Sequence, residues 1–333
     1  MLGVPFMGES GQELTKMMHL AGLVRQACSL SNVFSWRPKN NKLEHFSIER
    51  KEWVQKCRER PGPNGEPHYP GAGQKLYFDP DIYVPEIERL RSEILTSNCN
   101  LVVALGNTAL WALCRETGIS KLRGTVQTST LVPGLKVLPT YHPASVIRSW
   151  YQRPIVITDL MKAKRESEYL EIRRPERELW LEPSIEDILE FERRYFPPST
   201  YLGVDVETWK GQITCAGFAP SKDIALCIPF FDRRKEGGHF YSPSDEVAAW
   251  RIIRRWLEDP TLHKVMQNGL YDTQYFYRYG CKVRSFRADT MLAHFSLYTE
   301  LEKSLGFLGS VYTDEASWKM LRASHKDDFK KED

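Results

Sequence analysis

The stretch YLGVDVET, residues 201–208, decides the fold of the second half of the chain. Successive side chains of a β-strand point to opposite faces, so Val204 and Val206 share one face while Asp205 and Glu207 share the other. A carboxylate within an apolar central strand is costly unless its charge is compensated, and a divalent cation can compensate it. The pattern therefore predicts a strand that carries two metal ligands, with an edge strand and a solvated acidic face as the alternative.

A third carboxylate is predicted by residues 265–276, VMQNGLYDTQYF. This run predicts a short strand, an Asn-Gly turn and a helix whose first turn holds Asp272. Such a turn can present its carboxylate at the end of the sheet, facing the two acids of the strand. Residues 287–313 then predict a helical run, in which Asp289 fits a helix cap better than a metal ligand.

The second half resembles the proofreading 3′-5′ exonuclease domain of phage-type family A DNA polymerases, which belongs to the ribonuclease H-like DEDD exonucleases. The family's first motif, DxE, is matched by Asp205 and Glu207. Its second motif, Asn followed by an aromatic residue and Asp, is matched by Asn268, Tyr271 and Asp272. Two signature segments follow in the family's order, at residues 289–292 and 301–313. The resemblance implies a ribonuclease H-like fold with a mixed sheet.

The resemblance also implies two-metal hydrolysis of DNA at single-stranded 3′ ends. Two Mg²⁺ or Mn²⁺ ions polarise a water and stabilise the leaving 3′-oxygen. Asp205, Glu207 and Asp272 are the implied catalytic and metal-binding residues. Thr208 is expected to donate to the terminal phosphate or sugar, and Asn268 to hold the incoming strand. Helix capping is an equal alternative for Asn268.

The family's third motif, YxxxD, does not occur where it is expected. Tyr312 is followed at the fourth position by Ala316, and no YxxxD follows before Asp333. We therefore expect a truncated chain, with the third motif and a polymerase domain encoded downstream.

The first half alternates strand-like and helix-like runs, which predicts parallel strands covered by helices. The predicted elements are a helix at 9–22, a strand at 28–34, a long loop at 35–81, a helix at 82–97, a strand at 101–106, a helix to 117 that Asn107 caps, and a strand at 135–140.

Loops and predicted strand ends of the first half carry an aromatic ring, an amide and a histidine, as a base-flipping pocket requires. Phe6 can stack on an extruded base, Asn32 can read its Watson–Crick edge, and His142 can stabilise charge that develops on it. The apolar pair Val146 and Ile147 can wedge into the duplex. Each of the first three also has a structural alternative: a core phenylalanine, a turn-forming asparagine and a loop histidine.

Together these segments resemble the uracil-DNA glycosylase superfamily, especially its iron–sulfur branches. The resemblance covers residues 1 to about 165 and is carried by GVPFMGESG (3–11), NVFSWRPKNN (32–41), LGNTA (105–109) and HPASVIR (142–148). It implies an α/β/α sandwich with a parallel sheet and uracil-containing DNA as the substrate. It assigns stacking to Phe6, base reading to Asn32 and leaving-group stabilisation to His142, and adds Asn41 as a further pocket candidate.

Two features of that superfamily are missing from the first half. The opening strand and its glycine-rich motif, which carries the residue that positions the hydrolytic water, should precede Gly3, so we expect a chain truncated at its start as well. The iron–sulfur cluster needs four cysteines, two of them upstream. Trp36 occupies the position expected for another, which leaves only Cys57 as a match. We therefore expect no iron–sulfur cluster.

The composition is that of a two-domain globular protein. Its 333 residues, 41% hydrophobic and 27% charged, carry a net charge of only +3, so a nucleic-acid site must come from local basic patches. The sequence has no apolar run long enough to cross a membrane and no secretory signal. Its seven scattered cysteines indicate a reduced, cytoplasmic protein.

The charged, proline-interrupted segment 171–183 is the expected linker between domains 1–170 and 184–333. The predicted fold class is α/β with two domains, a uracil-DNA glycosylase-like sandwich and a ribonuclease H-like exonuclease domain. The predicted function is a metal-dependent 3′-5′ exonuclease fused to a glycosylase-like module within a DNA polymerase. A non-catalytic, DNA-binding module that senses modified bases is the alternative.

Overall fold

The computed structural model describes residues 5–59, 76–173 and 175–315. The chain divides into two compact units, Met1–Arg173 together with Gly306–Asp333, and Arg174–Leu305. Among the described residues, none of the helices has both the length and the apolar content that crossing a bilayer requires.

The first unit is an α/β structure built around a three-stranded sheet. Its elements are α1 (Glu9–Leu20), α2 (Arg50–Glu59), α3 (Pro80–Ser97), β1 (Leu101–Leu105), α4 (Asn107–Cys114), α5 (Ile119–Leu122), β2 (Gln127–Thr128), β3 (Lys136–Thr140), α6 (Pro143–Arg148) and α7 (Arg153–Glu166). The strand order is β1-β3-β2, in which β3 is parallel to β1 and antiparallel to β2. Every residue of β3 is buried, as expected for the central strand of a covered sheet.

The predicted strand at 28–34 is wrong. No strand or helix forms there; instead, the guanidinium of Arg89 on α3 donates to the backbone carbonyls of Asn32, at 2.8 Å, and Val33, at 3.2 Å. Because a side chain satisfies these backbone groups, the segment needs no sheet partner. The expected loop at 35–81 is also interrupted, since it contains α2.

Asn107 acts one helix later than predicted. It is the first residue of α4 rather than its cap, and its side-chain oxygen accepts hydrogen bonds from the backbone nitrogens of Gly118, at 3.1 Å, and Ile119, at 2.8 Å. Those two nitrogens lie at the start of α5, so Asn107 satisfies donors that the short helix leaves unpaired.

A buried polar cluster lies inside the first unit. Arg123 and Asp159, each 1% exposed, form an ion pair, with Nε of Arg123 2.9 Å from Oδ2 of Asp159. Thr140 donates to the same carboxylate at 2.6 Å, and Arg123 donates to the hydroxyl of Ser310 at 2.8 Å. These contacts satisfy both charges, which a buried ion pair requires.

The second unit is a mixed six-stranded sheet with helices. Its elements are β4 (Glu178–Leu181), α8 (Ile185–Tyr195), β5 (Tyr201–Trp209), β6 (Gln212–Ala219), β7 (Ile224–Pro229), α9 (Pro243–Glu258), β8 (His263–Met266), α10 (Gly269–Arg278), β9 (Phe286–Asp289) and α11 (Thr290–Leu297). The next helix, α12 (Leu305–Tyr312), belongs to the first unit from Gly306 on. The strand order is β4-β7-β6-β5-β8-β9. Strands β5, β6 and β7 are antiparallel neighbours, and the other pairings are parallel, which confirms the expected mixed sheet.

Two local predictions for the second half are corrected. The expected linker at 171–183 contains β4, which pairs with β7. The run at 287–313, predicted to be helical, begins with β9, an edge strand paired with β8. In both places the pairing partner lies elsewhere in the chain, so the local pattern carries little signal of it.

Candidate functional site

The acidic pair of β5 lies on the open face of the second sheet. Leu202, Val204 and Val206 are buried in the core, whereas Asp205 and Glu207 are exposed. This alternation confirms the predicted division of the strand into an apolar and an acidic face. Because the core occupies only one face, the two acids remain hydrated and can reach a ligand.

Asp272, in the first turn of α10, contacts the same strand. It is 2% exposed, and its Oδ1 accepts a hydrogen bond from the backbone nitrogen of Val206 at 2.9 Å. Val206 stands between Asp205 and Glu207, so the Asp272 carboxylate contacts the stretch of β5 that carries the other two acids. Strand β8 pairs with β5 only at 201–203, which leaves the edge of β5 open at Val206.

The surroundings of Asp272 concentrate negative charge. Burial raises the pKa of Asp272 above its usual range, the backbone hydrogen bonds from Val206 and Asp272 itself oppose that rise, and the charges of Asp289 and Glu207 add to it. A divalent cation would relieve this repulsion, and carboxylate oxygens are the ligands that Mg²⁺ and Mn²⁺ prefer.

Asp205, Glu207 and Asp272 are of the residue type that binds divalent metal ions, but their carboxylates are not arranged as a complete set of metal ligands. Within 5–59, 76–173 and 175–315, no group of three or more His, Cys, Asp or Glu residues is arranged as a metal cluster. The reason is visible at Asp272, whose carboxylate is buried and bonded to the strand backbone while the other two acids are exposed.

The turn before α10 is held by Asp289. Its carboxylate accepts from the backbone nitrogens of Asn268, at 3.1 Å, and Gly269, at 2.8 Å, and also caps α11 through Met291 and Leu292. The helix-cap prediction for Asp289 is confirmed. Asn268 adopts a left-handed conformation with φ of 57° and makes no side-chain cap, so its capping alternative is wrong.

Thr208 contacts Tyr271, the aromatic residue of the second motif, for which no individual role was predicted. Its hydroxyl forms a hydrogen bond with the hydroxyl of Tyr271 on α10. Tyr271 is exposed and packs on Tyr275, with 4.9 Å between the ring centroids. Two hydroxyl groups therefore lie together beside the acidic strand.

In the first unit, the rings of Phe6 and His142 lie close together. Their ring centroids are 5.8 Å apart. Arg25 donates to the carbonyls of Pro5, at 3.3 Å, and Phe6, at 3.1 Å, and so holds the loop. The loop lies so close to α1 that a Cβ at Gly11 would come 1.6 Å from the carbonyl oxygen of Phe6, so only glycine fits there.

His142 is held in one tautomer. Its Nδ1 accepts a hydrogen bond from the backbone nitrogen of Ala144 at 3.1 Å and thereby caps α6. Burial lowers the pKa of His142, and the charge of Arg148 lowers it further. The neutral ring therefore carries its hydrogen on Nε2, which is available as a donor.

The remaining pocket candidates are not all brought together. Val146 is fully buried among Leu14, Met17 and other core residues, so the prediction that it wedges into a duplex is wrong; Ile147 is half-buried. The helical turn that follows the His142 loop directs Val146 inward because its apolar side chain packs against α1.

Asn32 is exposed, and its carbonyl is bound by Arg89. Among the described residues, no hydrogen bond or ring contact joins it to Phe6 or His142. The side chain of Asn41 lies outside the described residues. Trp150, which follows α6 and is 60% exposed, offers a further aromatic ring on the surface of the first unit; the sequence signal for it is the aromatic pair Trp150 and Tyr151 in an otherwise polar segment.

Comparison with known families matches both halves of the chain. Residues 2–171 match the Uracil DNA glycosylase superfamily, and residues 186–327 match the 3′-5′ exonuclease family. A type-4 uracil-DNA glycosylase of Thermotoga maritima is 28% identical over 166 residues, which covers 49% of this chain and 68% of that protein. The type-4 enzyme of Archaeoglobus fulgidus is 28% identical over 151 residues, which covers 44% of this chain and 59% of that protein.

Two solved structures are similar to parts of the chain. Brucella melitensis NrnC is 13% identical, with a TM-score of 0.30, over 42% of this chain and 62% of its own. The POL domain of Pol1 from M. smegmatis is 22% identical, with a TM-score of 0.26, over 35% of this chain and 19% of its own. The chain thus matches less than two thirds of the length of either structure.

Proposed function

We propose that this chain, which belongs to the Uracil DNA glycosylase superfamily and carries a 3′-5′ exonuclease domain in its second half, removes nucleotides from DNA 3′ ends in a divalent-metal-dependent reaction. One observation carries the proposal: Asp272 reaches across from α10 to the backbone of Val206, between Asp205 and Glu207. This contact places Asp272, which is 66 positions from Val206, at the stretch of β5 that carries the other two acids.

In this proposal Asp205, Glu207 and Asp272 hold the metal ions. Two bound Mg²⁺ or Mn²⁺ ions would supply water activation and stabilisation of the leaving oxygen. The hydroxyls of Thr208 and Tyr271 hydrogen-bond the terminal nucleotide. Asn268, in the turn before α10, holds the incoming strand.

A strand-specific nuclease assay tests the proposal. A single-stranded oligonucleotide labelled at its 5′ end should be shortened stepwise from its 3′ end in Mg²⁺ or Mn²⁺ but not in EDTA. Asp205→Ala removes a ligand worth several kcal/mol of transition-state stabilisation, so we expect a rate loss of about 100-fold or more. Glu186→Gln, at an exposed acid on α8, is the matched control and should cleave normally.

Equal cleavage by wild type and Asp205→Ala, or cleavage that continues in EDTA, would refute the proposed reaction. Loss of cleavage in both variants would mean that the acidic strand is not specifically required.

A second function is favoured by the pair formed by Phe6 and His142. A ring that can stack on an extruded base lies beside a neutral imidazole whose Nε2 hydrogen can be donated to the departing base. We propose that the first unit recognises uracil in DNA and excises it. Base reading by Asn32 and pocket roles for Asn41 and Ile147 belong to the same proposal.

Release of uracil from a labelled duplex tests the second function. His142→Ala should abolish release, while His19→Ala, at an exposed histidine on α1, should not. If neither protein releases uracil but both bind a uracil-containing duplex more tightly than its thymine counterpart, the first unit is a base sensor without catalysis.

We further propose that the first unit works without an iron–sulfur cluster. A cluster needs four thiolate ligands, and the position expected for one of them holds Trp36. Iron analysis of the purified protein tests this directly, since a stoichiometric iron content would refute it. A cytoplasmic location and action together with a DNA polymerase also belong to the proposed function.

A further inference from the structure

The acidic face of the second sheet continues beyond the carboxylates. On β5, Trp209 follows Glu207 on the same face, about 7 Å farther along the strand. Glu207 lies opposite Cys215 of β6, and Cys215 lies opposite Pro229 of β7. Directly opposed residues of antiparallel strands share a face, so this open row leads from the acids to Pro229.

A cleft of about 430 Å³ begins at that row. We call it the Trp209 cleft. Its apolar lining is Trp209, Pro229, Phe231 and Phe240. The rings of Trp209 and Phe231 lie 5.3 Å apart, and the two residues are 45% and 36% exposed. The volume falls in the range of small-ligand sites, and the exposed aromatic rings offer faces on which a planar ligand can stack.

Positive charge surrounds these rings. The ammonium of Lys210 lies 4.4 Å from the centroid of the Trp209 ring, and the guanidinium of Arg233 lies 5.7 Å from it. Arg234 is paired with Asp232, at 2.8 Å, and with Glu182, at 2.6 Å. The lining therefore balances two acids, Glu182 and Asp232, with two arginines, Arg233 and Arg234. Lys210, beside the Trp209 ring, adds one further positive charge next to the cleft.

The loop that presents Phe231 is internally bonded. Gly238 accepts from the nitrogen of Asp232 at 2.8 Å, and donates to the carbonyl of Lys235 at 3.0 Å. A Cβ at Gly238, whose φ is 73°, would come 2.4 Å from the Phe231 ring. Glycine therefore lets the loop close on that ring, so less order needs to be imposed when a ligand binds.

We propose that the Trp209 cleft binds one nucleotide of a single-stranded DNA, with its base stacked on Trp209 and its phosphate near Lys210 and Arg233. Aromatic faces combined with cations are the chemistry by which proteins hold single strands without reading sequence. The inference rests on the proposed nucleic-acid substrate of the second unit and adds a contact to it beyond the acids. A released mononucleotide carries the same base and phosphate and would fit the same cleft.

Binding measured without metal tests the cleft separately from catalysis. Anisotropy of a fluorescein-labelled oligo(dT) is recorded in EDTA with the full chain. Trp209→Ala should weaken binding by roughly 5- to 150-fold, the range of one base–aromatic stack, and Trp209→Phe should bind within about threefold of wild type. Tyr277→Ala, which removes an aromatic ring that is 64% exposed on α10, is the matched control. Thermal melts establish that each variant is folded.

Wild-type affinity in Trp209→Ala, or an equal loss in Tyr277→Ala, would overturn the inference. Competition by dTMP would identify the cleft as one that accepts a free mononucleotide, whereas no competition would identify the strand as its ligand; both support it. If binding depends on Trp209 but no metal-dependent cleavage occurs, the cleft stands and the proposed nuclease reaction fails.

Discussion

Replacing Asp272 by asparagine should stabilise the second unit while abolishing its nuclease activity. The substitution keeps a side-chain oxygen that can accept from the backbone nitrogen of Val206, an interaction now 2.9 Å long, and it removes the negative charge. Asp272→Ala also removes the charge but leaves the buried N–H group of Val206 without an acceptor. The two variants therefore separate the hydrogen bond from the charge.

The sign of the charge effect follows from the raised pKa of Asp272, caused chiefly by burial and increased by Asp289 and Glu207. A carboxyl group whose pKa is higher in the folded state than in the unfolded state loses folding free energy when it ionises. That loss develops as the pH rises from the unfolded pKa through the folded pKa, and it is complete above both. At pH 7.5 the asparagine variant avoids it.

The expected difference in stability between Asp272→Asn and Asp272→Ala follows from the backbone N–H group of Val206, which has no acceptor in the alanine variant. A buried N–H group without a partner costs about 1–3 kcal/mol. For a unit of this size, each kcal/mol corresponds to roughly 3–4 °C in the melting temperature. Asp272→Asn should therefore melt roughly 3–12 °C above Asp272→Ala, and above wild type when metal is absent.

Differential scanning calorimetry of the full chain at pH 7.5 in EDTA measures these differences, and a second series in Mg²⁺ adds the metal. Mass action should raise the wild-type melting temperature in Mg²⁺ and leave the asparagine variant nearly unchanged. If Asp272→Asn melts with or below Asp272→Ala, or still degrades DNA in Mg²⁺, the assigned role of Asp272 is refuted.

Other predictions concern the first unit. Because burial lowers the pKa of His142, the wild-type protein should lose stability as the pH falls from about 6.5 through that lowered pKa. His142→Asn should make the melting temperature less dependent on pH in this range. An unchanged pH dependence would contradict the conclusion that His142 is buried in its neutral form. Val146→Ala should cost roughly 1.5–3 kcal/mol in urea unfolding, and Ile147→Ala clearly less, because only Val146 is fully buried; the reverse order would contradict the core position of Val146. Arg123→Ala should cost about 3–5 kcal/mol in the same assay by leaving Asp159 charged and buried, and a loss below 1 kcal/mol would mean that the pair is not buried in solution.

The first half of the chain shows which strands a local sequence pattern predicts correctly and which it does not. The apolar runs of β1 and β3 predicted two strands, and both formed in parallel pairing, because buried parallel strands are apolar on both faces. The run at 28–34 mixes apolar residues with Ser29, Ser31 and Asn32, and the Arg89 side chain binds two of its carbonyls. Composition alone does not show which partner satisfies a backbone group.

Val146 and β4 also show that a local sequence pattern does not determine which distant segment a residue or strand will contact. Helical spacing places Val146 on one side of α6, but its burial depends on α1, which lies more than a hundred residues earlier. Strand β4 lies in a charged segment that predicts a linker, and it becomes a strand because β7 offers a free edge for parallel pairing. Neither outcome is determined by the residues themselves.

What the sequence alone determined is the acidic face of β5 and the turn that begins α10. Alternation of side chains and the conformational freedom of an Asn-Gly pair are properties of a few neighbouring residues. Only the tertiary structure decided that Asp272 would meet Val206 across 66 positions and that Trp209 and Phe231 would share one cleft. Such contacts depend on strand pairing between distant segments, and the free energy of that pairing belongs to the whole sheet.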